Sequence, residues 1–97
     1  MKKLGLLATL KAKSGKEDEV KRFIEGAVDL ANQESKTLTW YSFKIDSNTF
    51  GIFDTFENEE GRESHLSGEI AKALMANAER LLSEDPKIQK IDLLSSK

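Results

Sequence analysis

The sequence predicts an α+β domain in which helices cover one face of a four-stranded antiparallel sheet. Three observations carry that prediction. Apolar residues alternate through the first dozen positions, and two later stretches place apolar residues at steps of three and four. Between those stretches, two runs rich in β-branched and aromatic residues flank the turn-like Asp46-Ser47-Asn48. At 97 residues there is room for one core, so residues 1–97 are expected to form a single domain.

Residues 4–12 read as a strand, with Leu4, Leu6, Ala8 and Leu10 on one face and Gly5, Leu7 and Thr9 on the other. Leu7 makes the second face partly apolar, as in a central strand covered on both sides. Ser14-Gly15-Lys16-Glu17 has the form of a capping box, in which the Ser14 hydroxyl accepts from the Glu17 amide and the Glu17 carboxylate from the Ser14 amide. Val20, Phe23, Ile24, Ala27, Val28 and Ala31 then form one stripe, predicting a continuous helix to about Glu34. Residues 37–46 and 49–56 are the arms of a hairpin, with Asn48 the expected left-handed position. Along the arms, Leu38, Trp40 and Ser42 alternate with Thr39, Tyr41 and Phe43. Phe50, Ile52, Asp54 and Phe56 alternate with Gly51, Phe53 and Thr55.

Asn58 is placed to cap a short helix over 59–66, with Glu59 and Glu60 at the positive end of its dipole. Ser67 is placed to cap a longer helix bearing Ile70, Leu74, Asn77, Ala78 and Leu81, which Pro86 stops near Ser83. Residues 88–94 complete the set as a strand with Gln89, Ile91 and Leu93 on one face. The order strand, helix, strand, strand, helix, strand is the split βαβ, or ferredoxin-like, arrangement. Its uncovered sheet face carries Leu7, Ile91, Leu93 and a hairpin face bearing Phe or Tyr. An exposed apolar patch of that kind marks an interface. A homodimer joined through the sheet face and closing into an α+β barrel is expected; the alternative is a monomer with a patchy second face.

Composition narrows the functional classes. Fifteen basic and seventeen acidic residues are interspersed without a Lys/Arg stripe, so neither nucleic acid nor an anionic membrane is an expected partner. Cysteine is absent, which excludes disulfides, thiolate nucleophiles and thiolate metal sites and fits a reducing compartment. One histidine and scattered carboxylates give no metal-ligand spacing, and no glycine-rich phosphate loop follows a strand. Met1-Lys2-Lys3-Leu4 opens like a secretory leader, but the apolar run breaks at Thr9 and Lys11 with no cleavage site, and no run approaches a membrane span. The expectation is a soluble cytoplasmic protein.

With that pattern, the chain resembles the antibiotic biosynthesis monooxygenase superfamily, dimeric α+β barrel proteins that include quinol monooxygenases. The resemblance spans nearly the whole chain. It is carried by Asp54 and Phe56 at the end of the third strand, the acidic turn Glu57-Asn58-Glu59-Glu60, the step His65-Leu66-Ser67-Gly68, and an aromatic in the second strand, Trp40 or Tyr41. It implies a pocket between sheet and helices, with His65 and Asp54 catalytic and Trp40, Phe43 and Phe56 lining the substrate site. It also implies oxidation of a quinol-like or polycyclic aromatic by molecular oxygen without flavin or metal. Phe56 stands where the family usually has tryptophan. Met75 stands where the haem-degrading branch has its histidine, so neither haem nor any other cofactor is expected.

Each candidate has a plainer reading. His65 suits a proton-transfer role near neutrality, as base or orienting group with Asp54 beside it, or is a helix histidine with no chemical role. Asp54 lies among apolar neighbours, where a carboxylate is costly unless paired. It is either a pocket acid or bonded to a backbone amide, Arg62 or Lys44. Six aromatics, Trp40, Tyr41, Phe43, Phe50, Phe53 and Phe56, fall in the hairpin and serve either a flat ligand or the core and interface. Ser42 and Asn77 are further hydrogen-bonding candidates. Two functions follow: a small cofactor-independent monooxygenase, or a non-catalytic dimeric module that binds a small apolar ligand or serves in stress response.

Overall fold

The computed structural model describes residues 4–97, so Met1 to Lys3 of the leader-like opening lie outside the described residues. In chain order the elements are β1 (Leu4–Lys11), α1 (Glu17–Gly26), α2 (Val28–Ala31), β2 (Thr37–Lys44), β3 (Thr49–Phe56), α3 (Glu59–Leu66), α4 (Glu69–Leu81) and β4 (Lys87–Asp92). The sheet order is β2-β3-β1-β4, and every pairing is antiparallel. This is the expected ferredoxin-like α+β fold. No helix among the described residues is long and apolar enough to cross a membrane.

The registers sort the side chains. Leu6, Ala8 and Leu10 lie opposite Asp54, Ile52 and Phe50, and Trp40 lies opposite Asp54 from the other side. This face meets the helices: Leu10, Phe50 and Ile52 pack with Val20, Ile24, Leu74 and Leu81 in the main core. A second, smaller cluster joins Ala27, Ala31 and Ile70, and Trp40 packs against both. Phe50 and Phe56 are fully buried, each contributing about 1.5–3 kcal/mol of transfer free energy. The opposite face carries Leu7, Phe53 and Tyr41 in one cross-strand row, and Tyr41 is largely exposed. Phe43 lies over Gly51 on this same face: a Cβ at Gly51 would stand 2.3 Å from the Phe43 ring. The glycine is what allows the ring to lie flat on the sheet.

Local details depart from the sequence reading. The first long helix is interrupted at Ala27 and ends at Ala31. Chain beyond that point turns early so that Glu34 can reach α3. No Ser14 capping box forms; Lys16 is the N-cap, and the Glu17 carboxylate accepts from the Gly15 amide at 2.8 Å. Gly15 takes φ +89°, and no other described residue has positive φ, so Asn48 is not left-handed. The Asp46 carboxylate instead accepts from the Asn48 amide at 3.1 Å, an Asx turn that needs no left-handed residue. Asn58 caps α3 as expected, its side chain accepting from the Gly61 amide at 3.0 Å. Ser67 does not cap α4; its hydroxyl turns back to the Glu63 and Ser64 carbonyls, and Gly68 is the N-cap. The last strand stops at Asp92, leaving Leu94 exposed.

Candidate functional site

Two elements bring the site together. Strand β3 turns alternate residues toward the helices, which buries Asp54 beneath α3. Helix α3 is then fixed in rotation by Arg62, itself buried. Its guanidinium grips Glu59 through both carboxylate oxygens at 2.9 and 3.0 Å and reaches the Gly5 and Ile91 carbonyls at 3.4 and 3.3 Å. With Arg62 directed at β1 and β4, His65 falls on the same side of the helix, three residues on, and faces the sheet.

The imidazole lies between two carboxylates. Nε2 is 2.8 Å from Asp54 Oδ2, and Nδ1 is 2.6 Å from Glu34 Oε1. The Phe56 ring stands beside it, centroids 5.4 Å apart at 44°. The His65 and Asp54 side chains are 9 % and 2 % exposed, while that of Glu34 is 21 % exposed. Glu34 is held in turn by Thr37, whose hydroxyl donates to the same Oε1 at 2.8 Å. Both Asp54 oxygens are buried without a hydrogen-bond partner among the described residues, and Oδ1 also stands outside the ion pair with His65. Neither Arg62 nor Lys44 is its partner: Arg62 is spent on Glu59, and His65 takes that place.

These contacts set the charges. Burial raises the Asp54 carboxyl above the usual carboxylate range, and the His65 imidazole beside it offsets only part of that effect. Burial of the ring opposes charge on His65, but the Asp54 and Glu34 carboxylates outweigh it and hold the imidazole above its ordinary value. An ionised carboxylate only accepts hydrogen bonds, so a ring set between two of them is best matched when both nitrogens carry hydrogen. The two contacts therefore favour the imidazolium, a cation flanked by two carboxylates. A fully protonated ring has no lone pair to act as a base. The group with a free acceptor is Asp54.

Two cavities meet at His65. A cleft of about 40 Å³ between sheet and helices is lined by Leu6, Ala8, Ile52, Leu66, Ile70, Ala71, Leu74 and Ile88, with Asp54 and His65 as its polar members. An open groove of about 400 Å³ lies on the outer side, between the loop after α2 and the α3–α4 junction, and includes Glu34, Ser35, Lys36, Ser64, His65 and Glu69. Of the residues singled out from sequence, the structure brings His65, Asp54 and Phe56 together. Trp40 shares the helix-facing side and stands opposite Asp54, with its indole Nε1 buried and unpartnered among the described residues, but it does not line the cleft. Phe43 is on the other face of the sheet and is not brought to His65. Asn77 is occupied by the Ala73 carbonyl and Arg80. Glu34 escaped the sequence reading; its only signal was its place at the polar end of the first helical stripe. Among the described residues, no group of three or more His, Asp and Glu side chains is arranged to hold a metal ion.

Comparison with known proteins places the fold and the family. No protein-family model and no curated protein matches the chain. A structure described as an antibiotic biosynthesis monooxygenase is 18 % identical over 95 % of this chain and 99 % of that one, with a TM-score of 0.81. The PA3566 protein of Pseudomonas aeruginosa is 23 % identical over 98 % of this chain and 97 % of its own, with a TM-score of 0.84. These two share the fold. The NE2512 protein of Nitrosomonas europaea, of unknown function, is 49 % identical, covers 100 % of this chain and 94 % of its own, and superposes with a TM-score of 0.98. At that identity over its full length, the chain belongs to the same family as the Nitrosomonas europaea NE2512 protein.

Proposed function

We propose that the chain is a cofactor-independent monooxygenase acting on a small, electron-rich aromatic with an acidic hydroxyl or CH₂ group. The observation that carries this reading is Asp54: a buried carboxylate with one free oxygen, facing an apolar cleft beside a fixed cation. Asp54 takes the substrate's proton, and the imidazolium of His65 stabilises the anion so formed. The anion is then electron-rich enough to add dioxygen at carbon. Return of the proton from Asp54 and loss of water leave a carbonyl, so that a CH₂ group and O₂ become C=O and H₂O. The fold shared with the monooxygenase structure supports the class of chemistry, and His65 serves as the orienting cation rather than the base.

The cleft limits how a substrate sits. About 40 Å³ holds the reacting group and not a whole ring system, well below the roughly 300–1,000 Å³ of small-molecule pockets. The ring body lies toward the edge strand, where Ile88 is exposed. The same small volume favours the second reading, a non-catalytic ligand-binding module. Oxygen uptake by metal-free protein against a panel of quinols and anthrone-like phenols separates the two. Uptake that depends on protein and falls at least roughly tenfold in Asp54→Asn and in His65→Ala supports the oxygenase. No uptake across the panel turns the reading to the binding module.

The apolar row of Leu7, Phe53 and Tyr41 supports a homodimer formed face to face through the sheet. Sedimentation is expected to give twice the chain mass at micromolar concentration, and Phe53→Glu the mass of one chain. A single-chain mass for the unsubstituted protein would remove the dimer.

A further inference from the structure

We infer that Glu34 is the port through which His65 gains and loses its proton, from the outer groove. Its purpose rests on the oxidation reading above; its substance rests on the geometry. His65 is the residue shared by the linings of the two cavities, and its nitrogens face different ones. On the cleft side Nε2 meets Asp54, whose side chain is 2 % exposed. On the groove side Nδ1 meets Glu34 at 2.6 Å, and Glu34 is 21 % exposed. A proton leaving Nε2 meets only the buried Asp54 carboxylate, in a largely apolar cleft. One leaving Nδ1 reaches a carboxylate that lines an open groove.

The transfer balances simply. The Nδ1–H bond breaks and an Oε1–H bond forms, which leaves a neutral imidazole with its hydrogen on Nε2 and a neutral Glu34. Glu34 then gives the proton to groove water and returns to its carboxylate. The reverse sequence recharges the ring. Thr37, donating to the same Oε1, keeps that oxygen aimed at Nδ1. The charged groups around the pair are Asp54 from β3, Glu69 at the start of α4, and Lys36 and Glu60, which pair with each other. On α3 itself, Arg62 is paired with Glu59 and Glu63 with Lys90. Among the described residues, only Asp54 and Glu34 lie within ion-pair distance of the ring. In the oxidation proposed above Asp54 takes and returns its own proton, and the port keeps the ring charged from the groove side.

The chain has one histidine, so nitrogen-15 labelling of histidine gives a single pair of ring signals for NMR. On raising pH, the wild type is expected to lose the Nδ1 proton and leave the Nε2–H tautomer. Glu34→Gln keeps an acceptor but cannot take up the proton, and is expected to slow exchange of the Nδ1 proton with water by roughly tenfold or more. Asp54→Asn is expected to lower the titration midpoint and leave Nδ1 exchange unchanged. A neutral form with its hydrogen on Nδ1, or unaltered exchange in Glu34→Gln, overturns the inference. The tautomer of the wild type decides the matter even where a variant fails to fold. Oxygen uptake on the same preparations is scored separately: its absence overturns the oxidation reading and leaves the port standing.

Discussion

Replacing His65 with leucine removes the only cation within ion-pair distance of Asp54 among the described residues, and the cost follows from the burial of that carboxylate. A stranded buried charge can be heavily penalised, but it has an escape, since the carboxylate can take up a proton instead. The penalty is then capped by the work of protonating a carboxyl of ordinary pKa near 4 at the prevailing pH, about 1.36 kcal/mol per unit. At pH 7 the cap is about 4 kcal/mol, and at pH 5 about 1.4 kcal/mol. Leucine roughly preserves the packing against Phe56, so the part that changes with pH reports the carboxylate. Urea unfolding followed by the fluorescence of Trp40, the single tryptophan, measures both values. Because the wild type itself loses some stability as His65 begins to titrate, the loss for His65→Leu should be about 1–2 kcal/mol larger at pH 7 than at pH 5. Adding Asp54→Asn should remove that difference. A loss that is the same at both pH values would refute the claim that Asp54 depends on the imidazolium.

Three further outcomes follow from the structure. His65 is held above its ordinary value, so its pairs contribute stability that is fully present below about pH 6.5 and lost as pH rises through the folded value. Asp54, also raised, acts in the same sense, because the native state keeps its proton longer than the unfolded chain does. The urea midpoint of the wild type should fall between pH 6 and pH 8.5, and a rise would contradict the assignment. Gly51→Ala sets a methyl against the Phe43 ring and should cost about 1–3 kcal/mol, largely relieved in Gly51→Ala with Phe43→Ala. Asn58→Ala leaves the Gly61 amide without its side-chain acceptor at the start of α3 and should cost about 0.5–2 kcal/mol in the same assay.

Much of the fold was legible because it depends on periodicity. The alternation in β1 and the hairpin and the helical stripes of α1 and α4 each state which face is buried, and burying those faces together leaves few arrangements. The apolar second face was legible for the same reason. Cap details were not. Ser14 and Ser67 have the right side chains in the right places, yet the Glu17 carboxylate took the Gly15 amide and the Ser67 hydroxyl turned back to α3. Caps are worth about 1 kcal/mol, little enough for tertiary geometry to override.

For the site, sequence by itself determined that Asp54 sits among apolar neighbours in a strand and that His65 follows on a short capped helix; their place on the helix-covered side was only what the resemblance implied. Tertiary structure alone decided which groups stand beside them. It placed Phe43 on the far face through strand alternation, and it ended the first helical stripe early enough to bring Glu34 to His65 across 31 residues. That contact changes the chemistry. A ring set between two carboxylates is held toward its cationic form, and the reading proposed above moves the role of base from His65 to Asp54. Periodicity reports which face a residue is on. It carries no information about which residue from a distant element will stand within 3 Å of it, and protonation is settled at that distance.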